Sequence, residues 1–98
     1  MTGMISGPIV RVFPESFAED MEPGTALDVQ DKARGTMHVH LGPEWFLERQ
    51  GLALKPGDEV SIRGRSYPLG GKERMIATEV IHRDQSLKLR DANGRPAW

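Results

Sequence analysis

The sequence contains no cysteine, and this absence excludes disulfide bonds, thiolate catalysis and any zinc site built on sulfur. It also has no apolar run near the roughly 20 residues needed to cross a bilayer, so we expect no membrane span. No basic segment followed by an apolar one opens the chain, so no secretory leader is recognisable. The compartment stays open: cytoplasmic for the chain as it stands, or periplasmic if a leader has been removed.

Motifs of common catalytic sites are missing as well. The chain has no G-x-S-x-G nucleophile elbow, no Walker loop and no H-E-x-x-H sequence. Gly64 and the pair Gly70-Gly71 have the wrong spacing for a loop that cradles phosphate. We therefore predict a protein that is not an enzyme and needs no cofactor.

The 98 residues are enough for one domain with one modest core, so residues 1–98 are predicted to form a single domain. The net charge of −1 argues against a general binder of polyanions, but the charge is unevenly spread. Residues 1–31 contain six acidic residues and one basic residue, whereas residues 32–98 contain twelve basic and eight acidic residues. Most of the early acids lie in a predicted loop over residues 14–24.

Alternating apolar residues predict strands on both sides of this acidic loop. In the first strand Ile9 shares a face with Arg11, and Pro8 indicates an edge or a bulge. A hairpin with its turn at residues 31–35 follows the loop. The buried face of this hairpin is predicted to contain Leu27, Val29, Met37, Val39 and Leu41.

A short helix is predicted after the hairpin. Pro43 suits its first position, and Gly51 suits the position just after its end. Two turns are not stable alone, so the helix must lie against the sheet. Phe46 and Leu47 are its predicted inward contacts, with Gln50 next on the same stripe.

Two further strands follow the helix, one starting near Val60 and the other, after a turn at Gly70-Gly71, covering residues 73–82. This order of three strands, a short helix and two strands resembles the OB fold. The resemblance covers about residues 4–82. It rests on Val39-x-Leu41-Gly42-Pro43-x-Trp45-Phe46 and then on Leu54-x-Pro56-Gly57-Asp58-x-Val60-x-Ile62-x-Gly64.

The chain is also similar to small bacterial OB-fold proteins of the exported, stress-associated kind. The fold class implied by the resemblance is all-β: a five-stranded OB-type Greek-key barrel with one short helix and a short C-terminal extension. Trp45, on the helix, is predicted to fill the core; the alternative is a platform for a ligand. Trp98 either packs on the barrel as a latch or binds a neighbouring molecule. A latch is favoured, because burying an indole stabilises a small domain by roughly 2–3 kcal/mol.

The basic hairpin between the fourth and fifth strands is the main candidate site. Its members are Arg63, Arg65, Tyr67, Lys72 and Arg74, with His38 and His40 on the adjoining face. Resemblance to the OB fold implies that the second and third strands, with the loops after the first and fourth, form the binding surface. Arginines there can neutralise phosphates, and a tyrosine can stack on a base. The alternative is that these charges are only solvated.

His38 and His40 are two residues apart on a predicted strand, so both side chains leave the same face. Such a pair can chelate a divalent metal, with His82 or Asp28 completing a set. The alternative is a polar, exposed outer face. Because local spacing fixes no third ligand, we predict no metal site.

Two functions remain open at this point. The chain is predicted to be a non-enzymatic binding module for a protein partner or a small ligand; the alternative is a domain that binds single-stranded nucleic acid. The net charge and the acidic loop favour the first, since the loop would repel an anionic strand. Association of copies through exposed strand edges is a third, purely structural option.

Overall fold

Five strands close into a barrel in the computed structural model, which describes residues 2–16 and 24–98. In chain order the elements are β1 (Thr2–Glu15), β2 (Gly24–Asp31), β3 (Gly35–Pro43), α1 (Glu44–Arg49), β4 (Glu59–Leu69), β5 (Lys72–His82) and β6 (Gln85–Lys88). Antiparallel neighbours follow the order β3-β2-β1-β4-β5, and a short parallel pairing of β3 with β5 closes the barrel. The predicted all-β five-stranded barrel with one short helix is confirmed, and its strand order is compatible with an OB-type barrel. The C-terminal extension adds β6, which pairs with β5.

Strand β1 is long enough to serve two neighbours, since its first half pairs with β4 and its second half with β2. A bulge at Val10 separates the halves, because the register with β2 steps from Ile9 to Arg11. The bulge indicated by Pro8 is therefore present, and it reverses the alternation of side chains. Ile9 is buried and Val12 packs against the core, whereas Arg11 is exposed. The prediction that Ile9 and Arg11 share a face is wrong for this reason.

The hairpin of β2 and β3 is confirmed, and all five of its predicted core residues are buried. Asp31 fixes the turn and ties it to β1. Its carboxylate accepts backbone N–H groups from Ser6 at 3.0 Å, Ala33 at 3.0 Å and Arg34 at 2.9 Å. The bond from Ser6 is the main cause that holds the pKa of Asp31 below its ordinary value. The seven residues 17–23 of the predicted acidic loop lie outside the described residues.

Helix α1 packs only one side against the barrel. Phe46 and Leu47 are buried as predicted, but Trp45 is 42% exposed and Gln50 is also exposed. The predictions for Trp45 and Gln50 are wrong, because a helix of six residues presents a single narrow stripe to the core. Pro43 was predicted to be the first residue of the helix, but it is the N-cap residue and the helix begins at Glu44. Within residues 2–16 and 24–98, no helix is long and apolar enough to cross a membrane.

The C-terminal tail, residues 89–98, returns across the barrel after β6. Leu89 is fully buried in the core. The ring of Trp98 lies 5.3 Å from the ring of Phe46, and the guanidinium carbon of Arg90 lies 4.9 Å from the Trp98 ring centroid. A Cβ atom on Gly42 would come within 2.8 Å of the Trp98 ring, so the close contact requires glycine there. Trp98 thus packs on the barrel as a latch would, although it is 36% exposed, and its stabilising effect stays a prediction.

Arg90 joins the two strands that close the barrel. The parallel pairing of β3 and β5 covers only three residue pairs, from His38 with Arg74 to His40 with Ile76. Just beyond it, Nη1 of Arg90 donates to the Leu41 carbonyl at 2.8 Å and to the Ala77 carbonyl at 2.6 Å. Burial lowers the pKa of Arg90. One side chain thus replaces ladder hydrogen bonds where the two strands separate.

Candidate functional site

A row of polar side chains crosses the outer surface of the barrel from strand to strand. We call it the belt; its members, each paired with the next, are Arg11 (β1), Asp28 (β2), His38 (β3), Arg74 (β5) and Tyr67 (β4). Side chains of residues paired across a ladder point to the same face, so these five lie side by side. The belt brings together three residues predicted from the sequence, His38, Tyr67 and Arg74.

Glu15, at the end of β1, connects the belt to His40. Its carboxylate lies 2.5 Å from Nε2 of His38, 3.1 Å from Nδ1 of His40 and 3.9 Å from Nη1 of Arg74. The paired residue on β2 is Gly24, whose hypothetical Cβ would sit 3.0 Å from the His40 ring. The missing side chain on β2 therefore lets a carboxylate on β1 reach two histidines on β3.

His38 is held from both sides of its ring. Nε2 contacts Glu15, and Nδ1 lies 3.3 Å from the Asp28 carboxylate, which is also 3.3 Å from Nε of Arg11. The centroid of the Phe13 ring lies 5.1 Å from that of the His38 ring. The guanidinium carbon of Arg11 lies over the Phe13 ring, 4.2 Å from the ring centroid. Interlocked contacts of this kind orient each member more firmly than isolated pairs do.

His40 is buried, with 5% of its surface exposed, although it points out of the barrel. Burial lowers its pKa, and the hydrogen bond with Glu15 opposes part of that effect. The exposed polar face predicted for the two histidines is therefore wrong for His40 and holds only in part for His38, which is half-buried. Burial, and after it the charge of Glu15, raises the pKa of Tyr67 at the other end of the belt.

Metal binding finds no support in this arrangement. Both histidines are turned towards the single carboxylate of Glu15, and His82 is 3.2 Å from Asp58 instead. Among the residues that the structure describes, no three histidine, cysteine or acidic side chains are grouped so that they could hold a metal ion.

One side of the belt opens into a groove of about 510 Å³, between the β2–β3 hairpin and the β4–β5 hairpin. We call it the belt groove. It is lined by Arg11, Asp28, Arg34, Thr36, Met37, His38, Lys72, Glu73 and Arg74. Counting only the residues that the structure describes, its lining has four basic side chains and two carboxylates. Three of the predicted site residues, His38, Lys72 and Arg74, contribute to it.

Arg63 and Arg65 do not line the belt groove. They point outwards, opposite to buried Val60 and Ile62 as predicted, but they line another cavity with the C-terminal tail. A strand advances about 3.3 Å per residue, so Arg63 is far along β4 from the hairpin tip at Lys72. The seven predicted site residues therefore do not form one surface.

Four residues of the site were missed by the sequence analysis: Arg11, Glu15, Arg34 and Glu73. Arg11 was missed because strict alternation along β1 turns it towards the core, and the bulge at Val10 turns it outwards. Glu15 was missed because it was predicted to lie in the acidic loop, whereas β1 extends as far as Glu15. Pro8 gave the usable signal, since a bulge shifts the facing of every later side chain. Arg34 lies in the hairpin turn, for which alternation predicts no direction.

Most of the chain matches a known protein family. Residues 1–87 match the family described as the MamS/MamX magnetosome protein family. The match includes the whole barrel, the belt and the belt groove, and it ends before Leu89 and the rest of the C-terminal tail. No curated protein matches the chain.

Proposed function

Because the chain belongs to the MamS/MamX magnetosome protein family, we propose that it is a non-enzymatic binding module for another protein of the magnetosome. The belt groove holds an acidic segment of that partner, although the acidic loop, of which residues 17–23 lie outside the described residues, was expected to repel anions. The observation that carries this proposal is the charge of the groove lining, which has four basic side chains against two carboxylates in a protein whose net charge is −1.

The basic side chains of the groove differ in how far they are already paired. Arg11 contacts Asp28, and Arg74 approaches Glu15. In the described part of the chain, no salt bridge joins Arg34 or Lys72 to a carboxylate, and both are exposed. These two are the groups that would meet incoming carboxylates. Glu73, the lining carboxylate outside the belt, limits how many acidic residues the groove accepts.

The shape of the groove suits a segment of chain. Its volume of about 510 Å³ lies within the roughly 300–1,000 Å³ of ordinary ligand sites. The belt beneath it is fixed by the contacts among Arg11, Asp28, His38 and Glu15, so little ordering remains to oppose binding. A preformed floor with exposed basic side chains at its rim favours recognition of an extended acidic peptide.

Single-stranded nucleic acid is the rival ligand, and the aromatic side chains near the groove disfavour it. Binding of single strands relies on exposed rings on which bases stack. The Phe13 ring is covered by Arg11 and packs against His38. Tyr67 is half-buried and does not line the groove. Phosphate contacts would remain, but within residues 2–16 and 24–98 neither Phe13 nor Tyr67 offers a free ring face in the groove.

A fluorescence-anisotropy titration tests the proposal with a labelled peptide of alternating glutamate and glycine, at low and at physiological salt. We expect binding that weakens with salt and becomes about tenfold weaker in the double variant Arg34→Gln, Lys72→Gln, since two exposed ion pairs are worth about 1–2 kcal/mol. The matched control is Lys55→Gln, Arg95→Gln, which removes the same charge at exposed positions outside the groove.

An equal loss in the control variant would mean that net charge alone drives binding, and the proposal would fail. It would also fail if the peptide does not bind at low salt. A labelled single-stranded oligonucleotide serves as the competing probe. Tighter binding of the oligonucleotide than of the peptide would establish the nucleic-acid function instead.

A further inference from the structure

A second basic cavity, of about 420 Å³, lies where the C-terminal tail crosses β5. It is lined by Arg63, Arg65, Thr78, Lys88, Arg90, Asp91 and Ala92. None of these residues lines the belt groove. We call it the tail cavity. It contains the two arginines of the predicted site that the belt groove leaves out.

A bulge in β5 shapes the tail cavity. The register with β4 steps from Glu79 to Ala77, so Thr78 is left without a cross-strand partner. Its freed carbonyl accepts the N–H groups of Leu89 at 2.8 Å and Arg90 at 3.3 Å, which fixes the tail over the bulge. Its hydroxyl donates to the Arg63 carbonyl at 3.1 Å, so the same residue also anchors β4.

The far wall of the cavity is held by the tail itself. Asp91 accepts the N–H groups of Asn93 and Arg95 through Oδ1, so its carboxylate closes a turn of the tail. Arg65 donates through Nη2 to the Ala92 carbonyl at 2.8 Å and is thereby positioned across the cavity. The wall is therefore fixed before any ligand arrives.

The basic side chains of the tail cavity are more numerous than the carboxylates that face them. Arg63, Glu79 and Lys88 are cross-strand partners in one row over β4, β5 and β6. Oε1 of Glu79 is 3.9 Å from Nη1 of Arg63, too far for a hydrogen bond, and its other oxygen accepts from Ser86. Among the described residues, neither Arg63 nor Lys88 donates a side-chain hydrogen bond.

We propose that the tail cavity binds the phosphoryl group of a phosphate monoester or of inorganic phosphate, held by Arg63, Arg65 and Lys88. The planar guanidinium groups offer paired donors that match two oxygens of a tetrahedral anion, and the lysine adds a point charge. The three side chains come from two strands and converge on one cavity. A dianion bound there would neutralise positive charge of these side chains. This site uses residues other than those of the proposed peptide groove.

Amide chemical shifts in a titration of the full chain with inorganic phosphate test the proposal directly. We expect saturable shifts concentrated at Arg63, Arg65, Lys88 and Ala92. The variant Arg63→Gln, Lys88→Gln is expected to bind phosphate about tenfold more weakly. The matched control is Lys32→Gln, Lys55→Gln, which removes two charges at exposed positions outside both cavities and should leave phosphate binding unchanged.

A second experiment distinguishes a lipid headgroup from a soluble phosphate. It uses phosphatidylcholine vesicles with and without phosphatidic acid. Cosedimentation that requires phosphatidic acid, Arg63 and Lys88 identifies a lipid headgroup. Saturable binding of inorganic phosphate without vesicle binding identifies a soluble ligand. The proposal is overturned if neither probe binds, if the shifts centre on Lys72 and Arg34, or if Arg63→Gln, Lys88→Gln binds as the unchanged chain does. Failure of the acidic peptide to bind would leave this result unaffected.

Discussion

Burial of a single residue in this barrel depends on its neighbours two strands away as well as on its own strand. His40 points outwards, yet Glu15 reaches it across Gly24. The sequence pattern of β3 correctly predicts which way His40 points. It contains nothing about the distant carboxylate, so burial on an outer face could not be predicted from alternation alone.

Acid should weaken the fold through His40. Burial lowers the pKa of the folded His40 below its ordinary value of 6.5, so the unfolded chain binds a proton more readily below that pH. Stability is therefore fully present above 6.5 and falls as the pH drops below it. Asn keeps a donor for Glu15 but does not titrate. We expect urea unfolding at about pH 7 and about pH 5.5 to show a smaller loss of stability for His40→Asn than for the unchanged chain.

The groups facing His40 set the size of that effect. The Glu15 carboxylate raises its pKa, whereas the positive charge of Arg90 and the neighbouring His38 lower it. The comparison uses the same two pH values for both proteins, so contributions of groups that do not interact with His40 cancel. Identical losses in the two proteins would show that His40 does not couple folding to pH.

At the scale of structural elements, the C-terminal tail makes a large contribution to holding the barrel together for so short a segment. It supplies Arg90, whose two hydrogen bonds join β3 to β5, and Trp98, which covers Gly42 and Phe46. The sequence predicted Trp98 as a latch because a terminal indole is costly to leave in water. It gave no sign of the role of Arg90, since a basic residue near a chain end normally indicates a solvated side chain.

Replacing Arg90 should destabilise the barrel at the junction of β3 and β5. Arg90→Leu keeps an apolar stem but leaves the carbonyls of Leu41 and Ala77 without their donor, so we expect a loss of about 2–4 kcal/mol in urea unfolding. Arg95→Leu is the matched control, because Arg95 is exposed on the same tail. Similar losses in both variants would argue that the added leucine, and not the lost hydrogen bonds, is responsible.

For the whole molecule, the fold was easier to predict than the site. Period-two runs and turn glycines were sufficient for the order of the strands and the short helix, because each buried face is recorded locally in the sequence. The resemblance to the OB fold implied that the sheet closes into a barrel. The belt depends on which residues become neighbours after closure. Arg11 and Arg74 are 63 positions apart in the chain, and a bulge determines whether the first of them faces outwards.

The barrel should also depend on residues beyond the family match, which ends at residue 87. A chain ending at Lys88 loses the buried Leu89, the Arg90 bridge and the Trp98 contacts. We expect its melting temperature to fall by about 15–30 °C, or cooperative unfolding to be lost. A chain ending at Pro96 loses only Trp98 and the hydrogen bond from the Ala97 N–H to the Leu89 carbonyl. For this smaller loss we expect the melting temperature to fall by about 5–10 °C. Thermal unfolding followed by circular dichroism measures both, and equal melting temperatures for all three chains would contradict the assigned role of the tail.

The bulge at Val10 makes the chemistry of the outer face depend on the register of one strand. Val10 is 54% exposed and takes no part in the ladder with β2, so Arg11, Phe13 and Glu15 face the outer surface. If Val10 instead entered the ladder opposite Asp28, the same three side chains would turn inwards and Val12 would face solvent. A slip of one residue in β1 is thus a route by which one barrel gains or loses a charged face while its sequence stays the same.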